Sequence, residues 1–269
     1  MKSKFVLLYH KIQESGTPWK VYMIAVVVVF VFLTEIAISP LQKLNALEKS
    51  ALSDSLYMTS FDSAYFNPEL SVLAKEKSYR EAMLELAASD SIQLIIDIPD
   101  SSISLSIKGV IIHHSRMTDL SIDPFFSRIT LPAQLWIFSS PLEILKQQST
   151  IIKEPVVERE APKDTAEANQ NAWQPDTLIQ HPAFLRLSTT NGFRISVEQD
   201  RNVTAKDRWS RFFFHINNQI QNTGKAVWNF ILLRKQDYHP EISISLPADE
   251  IRSVYRALPE KAYVVIKIQ

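Results

Sequence analysis

The run V-Y-M-I-A-V-V-V-V-F-V-F-L, from Val21 to Leu33, contains no charged residue, and Thr34-Glu35-Ile36-Ala37-Ile38 prolongs it. Trp19 to Ile38 supplies the roughly 20 residues that cross a hydrocarbon core as a helix rising about 1.5 Å per residue. Valine is a poor helix former in water, but lipid offers the backbone no competing partner, so the segment is helical there. Lys2, Lys4, Lys11 and Lys20 precede the span against the single acid Glu14, whereas Lys43 and Lys49 follow it at a distance. An excess of basic residues on one flank marks the cytoplasmic side. The N-terminus is therefore expected inside and the C-terminal part in the periplasm of a single-pass inner-membrane protein. Trp19 and Tyr22 fall at the interfacial level.

A cleavable signal peptide is the alternative. The long basic leader opposes it, as does Pro40 directly after the only small-x-small site, Ala37-Ile38-Ser39. An uncleaved signal anchor is the reading adopted. Glu35 is either a functional intramembrane carboxylate or, as favoured, a solvated group near the headgroups.

The bulk composition removes several function classes. Lys plus Arg and Asp plus Glu both number 29 in the 269-residue chain, and no basic cluster stands out, so no nucleic-acid partner is expected. The chain has no cysteine, which excludes disulfides, thiolate metal sites and cysteine nucleophiles. Its four glycines, Gly16, Gly109, Gly192 and Gly224, are too scattered for a dinucleotide-binding or P-loop motif.

Beyond the span, residues 39–90 read as a helical stalk. Leu41, Leu44, Leu47, Leu52 and Leu56 recur at helical steps, and a second helix starts at Pro68 and ends near Ala88. The leucine spacing is too irregular for sustained heptads, which favours helices packed on their own domain over a partner-binding coiled coil. Period-two alternation begins near Ser91. Ile92, Leu94, Ile96 and Ile98, then Ile103, Leu105 and Ile107, predict a hairpin with one buried face around Pro99-Asp100-Ser101-Ser102, followed by a strand from Val110 to His113. Leu135–Phe138 and Ile144–Leu145 are further strand candidates.

Residues 153–180 are rich in Glu, Lys and Pro and read as a flexible linker or long loop between the two parts of the β-rich domain, 91–152 and 181–269. In the second part, Asn191-Gly192 signals a hairpin between Phe184–Leu187 and Phe193–Val197. Arg211–Asn217 and the apolar A-V-W-N-F-I-L-L at Ala226–Leu233 are expected to pair as strands around Asn222-Thr223-Gly224, the latter central and covered on both faces. The C-terminus reads as β-α-β: Ile242–Leu246, a helix opened by Pro247 with Asp249 and Glu250 in its first turn, and Tyr263–Ile268. The expected fold is α+β: one transmembrane helix, a helical stalk and a β-rich domain ending in β-α-β.

The segment I-Q-L-I-I-D-I-P-D-S-S-I-S-L-S-I-K-G-V (Ile92–Val110) resembles the first hairpin of the L,D-transpeptidase catalytic domain, and Ile242–Ile268 resembles its last strand, helix and strand. That family is β-rich and cross-links peptidoglycan through a thiolate in a S-H-G-C-type segment. This chain has no cysteine, so the resemblance implies a degenerate domain without the active site, and no residue inherits a catalytic role.

Residues that could carry other chemistry are few. His113 and His114 are adjacent on a strand and point to opposite faces, so they do not share a metal; one of them joined by Asp119, Asp123 or His239 would be needed. Neither H-E-x-x-H, G-x-S-x-G nor S-x-x-K occurs. The run R-W-S-R-F-F-F-H at Arg208–His215 is either an aromatic platform for sugar or peptide or, as favoured, a core strand with arginine stems on its rings. The Asn202-Val203-Thr204 sequon matters only in a eukaryotic secretory setting.

No catalytic, cofactor-binding or metal residue is assigned, and no cofactor is expected. The functional expectation is a non-enzymatic scaffold or interaction protein of the bacterial cell envelope. Its partners would be the lipid bilayer, other membrane or envelope proteins and peptidoglycan. The alternative is a membrane-anchored hydrolase or transferase acting on cell-wall glycan or peptide. A histidine approaching a carboxylate and a hydroxyl in a pocket would favour the enzyme; exposed leucines on the helices would favour the scaffold.

Overall fold

The computed structural model describes residues 18–53, 67–151, 153, 182–200, 209, 212, 216, 224, 226–232 and 234–268. Residues 1–17, where a cytoplasmic tail is expected, most of the 153–180 linker and the Asn202 sequon lie outside them. The chain divides into two compact units, Met1–Ala46 with Gln219–Tyr238, and Leu47–Asn218 with His239–Gln269.

Helix α1 (Pro18–Ser53) runs unbroken through Pro40, so the expected span and the first stalk helix are one element. It contains one segment long and apolar enough to cross a membrane, whose apolar 18-residue stretch is not buried within the molecule. A proline inside a helix removes the amide that would bond the carbonyl four residues back, here that of Ile36. The hydroxyl of Ser39 donates to that same carbonyl at 2.8 Å, so the lost bond is replaced. In the same unit, residues 226–231 are helical rather than a central strand. A near-continuous apolar run fits a buried strand or a lipid-compatible helix equally by pattern, and helix is the outcome here. Phe230 packs edge-on against Phe32 of α1, with ring centroids 5.2 Å apart.

The other unit is built on nine strands: β1 (Gln93–Asp97), β2 (Ser102–Ile107), β3 (Val110–Arg116), β4 (Asp119–Ile122), β5 (Leu142–Ser149), β6 (Phe184–Thr189), β7 (Arg194–Gln199), β8 (Glu241–Leu246) and β9 (Tyr263–Lys267). Their order is β3-β2-β1-β9-β5-β6-β7-β8-β4. β5 serves two sheets: Leu142 and Glu143 pair with β9, and Ile144 to Ser149 pair with β6. The register shifts between Ile144 and Lys146, leaving Leu145 as an exposed bulge, which bends a strand from one sheet into the next.

The two ends of the order, β3 and β4, are joined by only Met117 and Thr118. Met117 N–H donates to Ser101 O at 2.8 Å beside the first sheet, and Thr118 N–H to Ser245 O at 2.9 Å in the second. The strand order therefore closes on itself through the chain.

Helix α2 (Pro68–Ala87), capped by Asn67, lies on the first sheet: Ala82 and Leu86 pack on Ile95 and Val265. Lys267 reaches Glu76 and Asp97, each at 3.5 Å, adding a polar tie. The hairpin β1–β2 is present as expected, but both of its faces are buried. The reason is compositional: the row opposite Leu94, Ile96, Ile103 and Leu105 holds Ser102, Ser104 and Ser106, small enough to lie under a helix.

Gly109, at φ +77, completes the two-residue turn with Lys108, and a β-carbon there would come within 3.0 Å of Ala87. Leu135–Phe138 is helical, within α4 (Leu131–Phe138) after the short α3 (Phe125–Arg128), because Pro132 stands in the first turn where proline starts a helix. The C-terminal strand–helix–strand forms as expected, with α5 (Ala248–Ala257), although β8 and β9 lie in different sheets.

At the heart of this unit Phe193 is fully buried, edge-on to Phe126 at 5.2 Å and stacked on Phe138 at 6.2 Å. Phe193→Ala is expected to cost about 3–5 kcal/mol in urea unfolding of the full chain in detergent. Leu145→Ala, at the exposed bulge, is expected to cost no more than about 0.5 kcal/mol.

Candidate functional site

The tight turn at Lys108-Gly109 sends β3 back along β2 with His113 opposite Leu105, His114 opposite Ser104 and Ser115 opposite Ile103. Alternation then places His113 and Ser115 on the face shared with Leu94, Ile96, Ile103 and Leu105, while His114 shares the α2 side. The expectation that the two histidines face apart is met. His114 Nδ1 bonds the Ser104 hydroxyl at 2.9 Å on one face, and His113 Nε2 meets Glu250 Oε2 at 2.7 Å on the other.

Glu250 comes from the first turn of α5. Asp249 and Glu250 complement the positive end of that helix, Arg256 stands in its last turn, and Ile251 and Val254 are fully buried. α5 packs on β6 and β7 of the second sheet, so Glu250, reaching β3, ties the first sheet to the second through this helix. The Ser115 hydroxyl donates to Glu250 Oε2 and lies 3.1 Å from His113 Nε2. The Ser115 bond holds the Glu250 carboxyl below its ordinary value; partial burial opposes this and His113 adds to it.

This is a histidine beside a carboxylate and a hydroxyl, but not a nucleophile relay. In such a relay the acid holds one ring nitrogen and the other takes the hydroxyl proton. Here Glu250 and Ser115 meet the same nitrogen of His113, and the serine directs its proton to the carboxylate. A carboxylate held below its usual range is also a weak base. The geometry suits a polar clasp between β3 and α5. Its histidine and glutamate side chains are 33% and 37% exposed.

The other sequence candidates lie elsewhere. Asp123 accepts the Phe125 N–H at the start of α3, Asp119 accepts the Leu120 N–H, and His239 Nδ1 sits 3.0 Å from Gly192 O at the β6–β7 turn. Among the described residues no three His, Asp or Glu side chains come together as a metal site. Of the Arg208–His215 run only Trp209 and Phe212 are described; both are helical and exposed, packed edge-on at 5.9 Å, and the rest of the expected strand lies outside the described residues.

A second polar group links three neighbouring strands. Buried Arg186 bonds Ser196 at 3.1 Å, Ser196 donates to Glu241, and Arg186 lies 3.7 Å from that carboxylate. Ser115 and Glu250 escape a sequence reading because they stand 135 residues apart. The only local signal is that Ser115 shares the period-two face of His113. Family models, curated proteins and solved structures return no match to this chain.

The clasp has a pH signature. The folded-state pKa of Glu250 is depressed, so its stabilisation is present at neutral pH and is lost as pH falls below about 4.5 through the folded value. Because both side chains are about a third exposed, Glu250→Gln is expected to cost only about 0.5–1 kcal/mol at pH 7. In urea unfolding, the gap between variant and wild type should close on acidification; a gap that persists at pH 3 would show the clasp does not act through that charge.

Proposed function

We propose that the chain is a single-pass protein of the bacterial inner membrane that acts as a non-enzymatic scaffold. In this reading α1 is an uncleaved anchor with its N-terminus in the cytoplasm, and the sheet domain stands in the periplasm. There it docks another envelope protein through the outer face of α2. The observation that carries the reading is the leucine face of that helix. Leu73 and Leu84 are 64% and 74% exposed, and Leu70 is exposed beside them. At about 100° per residue, these three fall within about 60° of one another and about 150° from the buried row Ser78, Ala82 and Leu86. The Lys77–Glu81 ion pair, 3.5 Å apart, lies between them on the same face. A helix that already buries one side on its own sheet gains nothing for folding from leucines on the other side. Such residues fit an apolar centre within a polar rim, as protein interfaces have.

The His113–Ser115–Glu250 arrangement gives less support to the hydrolase alternative, since its hydroxyl proton goes to a weak base. The basic leader, the apolar span and the exposed Leu41 and Leu52 toward the end of α1 agree with an anchored scaffold.

The absence of native cysteine allows single-cysteine crosslinking in intact membranes. Leu73→Cys and Leu84→Cys are expected to yield one discrete crosslinked species that Lys146→Cys, on the exposed part of β5, does not. Leu73→Glu should abolish it while changing domain stability by no more than about 0.5 kcal/mol. Equal crosslinking at all three positions, or cleavage of glycan or peptide by the purified protein, would refute the scaffold. A reporter fused after Gln269 that is active in the cytoplasm would overturn the orientation.

A further inference from the structure

We infer that the helical segment at residues 226–232, in the connection between β7 and β8, is a second membrane-seated element that inserts its apolar side among the acyl chains of the outer leaflet beside α1. This inference rests on the anchor reading of α1.

The ring of Phe230 packs edge-on against Phe32 at 5.2 Å, and Phe32 lies inside the apolar run of α1. Counting back from Ile38 at about 1.5 Å per residue puts Phe32 about 9 Å below the outer end of the span. Phe230 shares that depth through direct contact. An interfacial helix buries its apolar face about 5–10 Å into the headgroup and acyl boundary, which is the depth found here.

The remaining surface of the segment suits that setting. Trp228 and Ile231 are 61% and 62% exposed, with Val227 and Leu232 exposed beside them. In water, four neighbouring large apolar side chains would be a costly patch. Within lipid they are solvated, and the indole of Trp228 is the ring type found at membrane interfaces. Arg234 and Lys235 follow directly and are exposed, placed for lipid phosphates once the chain leaves the apolar layer. The segment also closes its own backbone there: Leu232 N–H bonds Trp228 O at 3.1 Å, Arg234 N–H bonds Asn229 O at 2.8 Å, and the Gln236 amide caps Ala226 O at 2.9 Å.

The test uses the full chain with single cysteines at Val28, Ile231 or Lys146, each carrying an environment-sensitive fluorophore. The protein is reconstituted in phosphatidylcholine–phosphatidylglycerol vesicles that contain lipids spin-labelled on the acyl chain. Quenching at Ile231→Cys within about twofold of that at Val28→Cys, with little at Lys146→Cys, is the expected result for a helix at acyl depth. Quenching at Val28→Cys alone would overturn the inference and leave the anchor standing. No quenching at Val28→Cys would remove the anchor and the inference with it. An unquenched Ile231→Cys whose unlabelled form is oxidised to a disulfide between chains would assign that face to a second copy and also overturn it.

Discussion

Two consecutive backbone amides decide the shape of the sheet domain. Met117 bonds back to Ser101 and Thr118 bonds across to Ser245, so the chain changes sheets within one peptide step. Everything that follows depends on that transfer. β3 is committed to the first sheet and β4 to the second, and the opposite corner must be turned by one strand, which the bulge at Leu145 allows β5 to do. The covalent link does not pair β3 with β4, so each remains an edge strand hydrogen-bonded on one side, and Val110, Ile111 and Ile112 at the start of β3 are exposed there, as is Ile122 on β4.

The same accounting of backbone groups explains α1. A proline within a helix leaves one carbonyl without its amide, and in a low-dielectric setting that vacancy costs more than in water. Ser39 sits one residue before Pro40 and gives its hydroxyl to the orphaned Ile36 carbonyl, so the helix continues as a single rod past the end of the apolar run. Pro40, just beyond the expected end of the span, is therefore an interior helix residue with a local repair.

What was legible in sequence was what depends on neighbours a few residues away. The period-two runs located β1 and β2, Asn191-Gly192 located the hairpin of β6 and β7, and Pro247-Ala248-Asp249-Glu250 located the start of α5. The failures share one cause. Ala226–Leu233 and Leu135–Phe138 are short apolar runs without period, and such runs carry no information on helix against strand. The serines of β2 looked like a solvent face because polarity was taken to mean exposure, yet Ser102, Ser104 and Ser106 are all buried. The clasp at His113 was half legible. The strand period put His113 and Ser115 together, but nothing local could announce Glu250, because β8 and β9, on either side of α5, belong to different sheets.

The distribution of apolar surface completes the physical picture. The inward rows of both sheets, with Ile195, Val197, Ile242 and Ile244 on one and Leu94, Ile96 and Ile103 on the other, are fully buried. The domain's polar clusters are internally matched: Glu250 with Ser115 and His113, Glu241 with Ser196 and Arg186, and Glu76 and Asp97 with Lys267. Groups that neutralise each other in this way hold elements together but keep little reactivity for a substrate. The large apolar side chains left over stand mainly on helices: on α1, on the far side of α2 and on residues 226–232. It is this distribution that supports the proposed scaffold, because large hydrophobic side chains exposed on helices suit contact with apolar surroundings, lipid or protein.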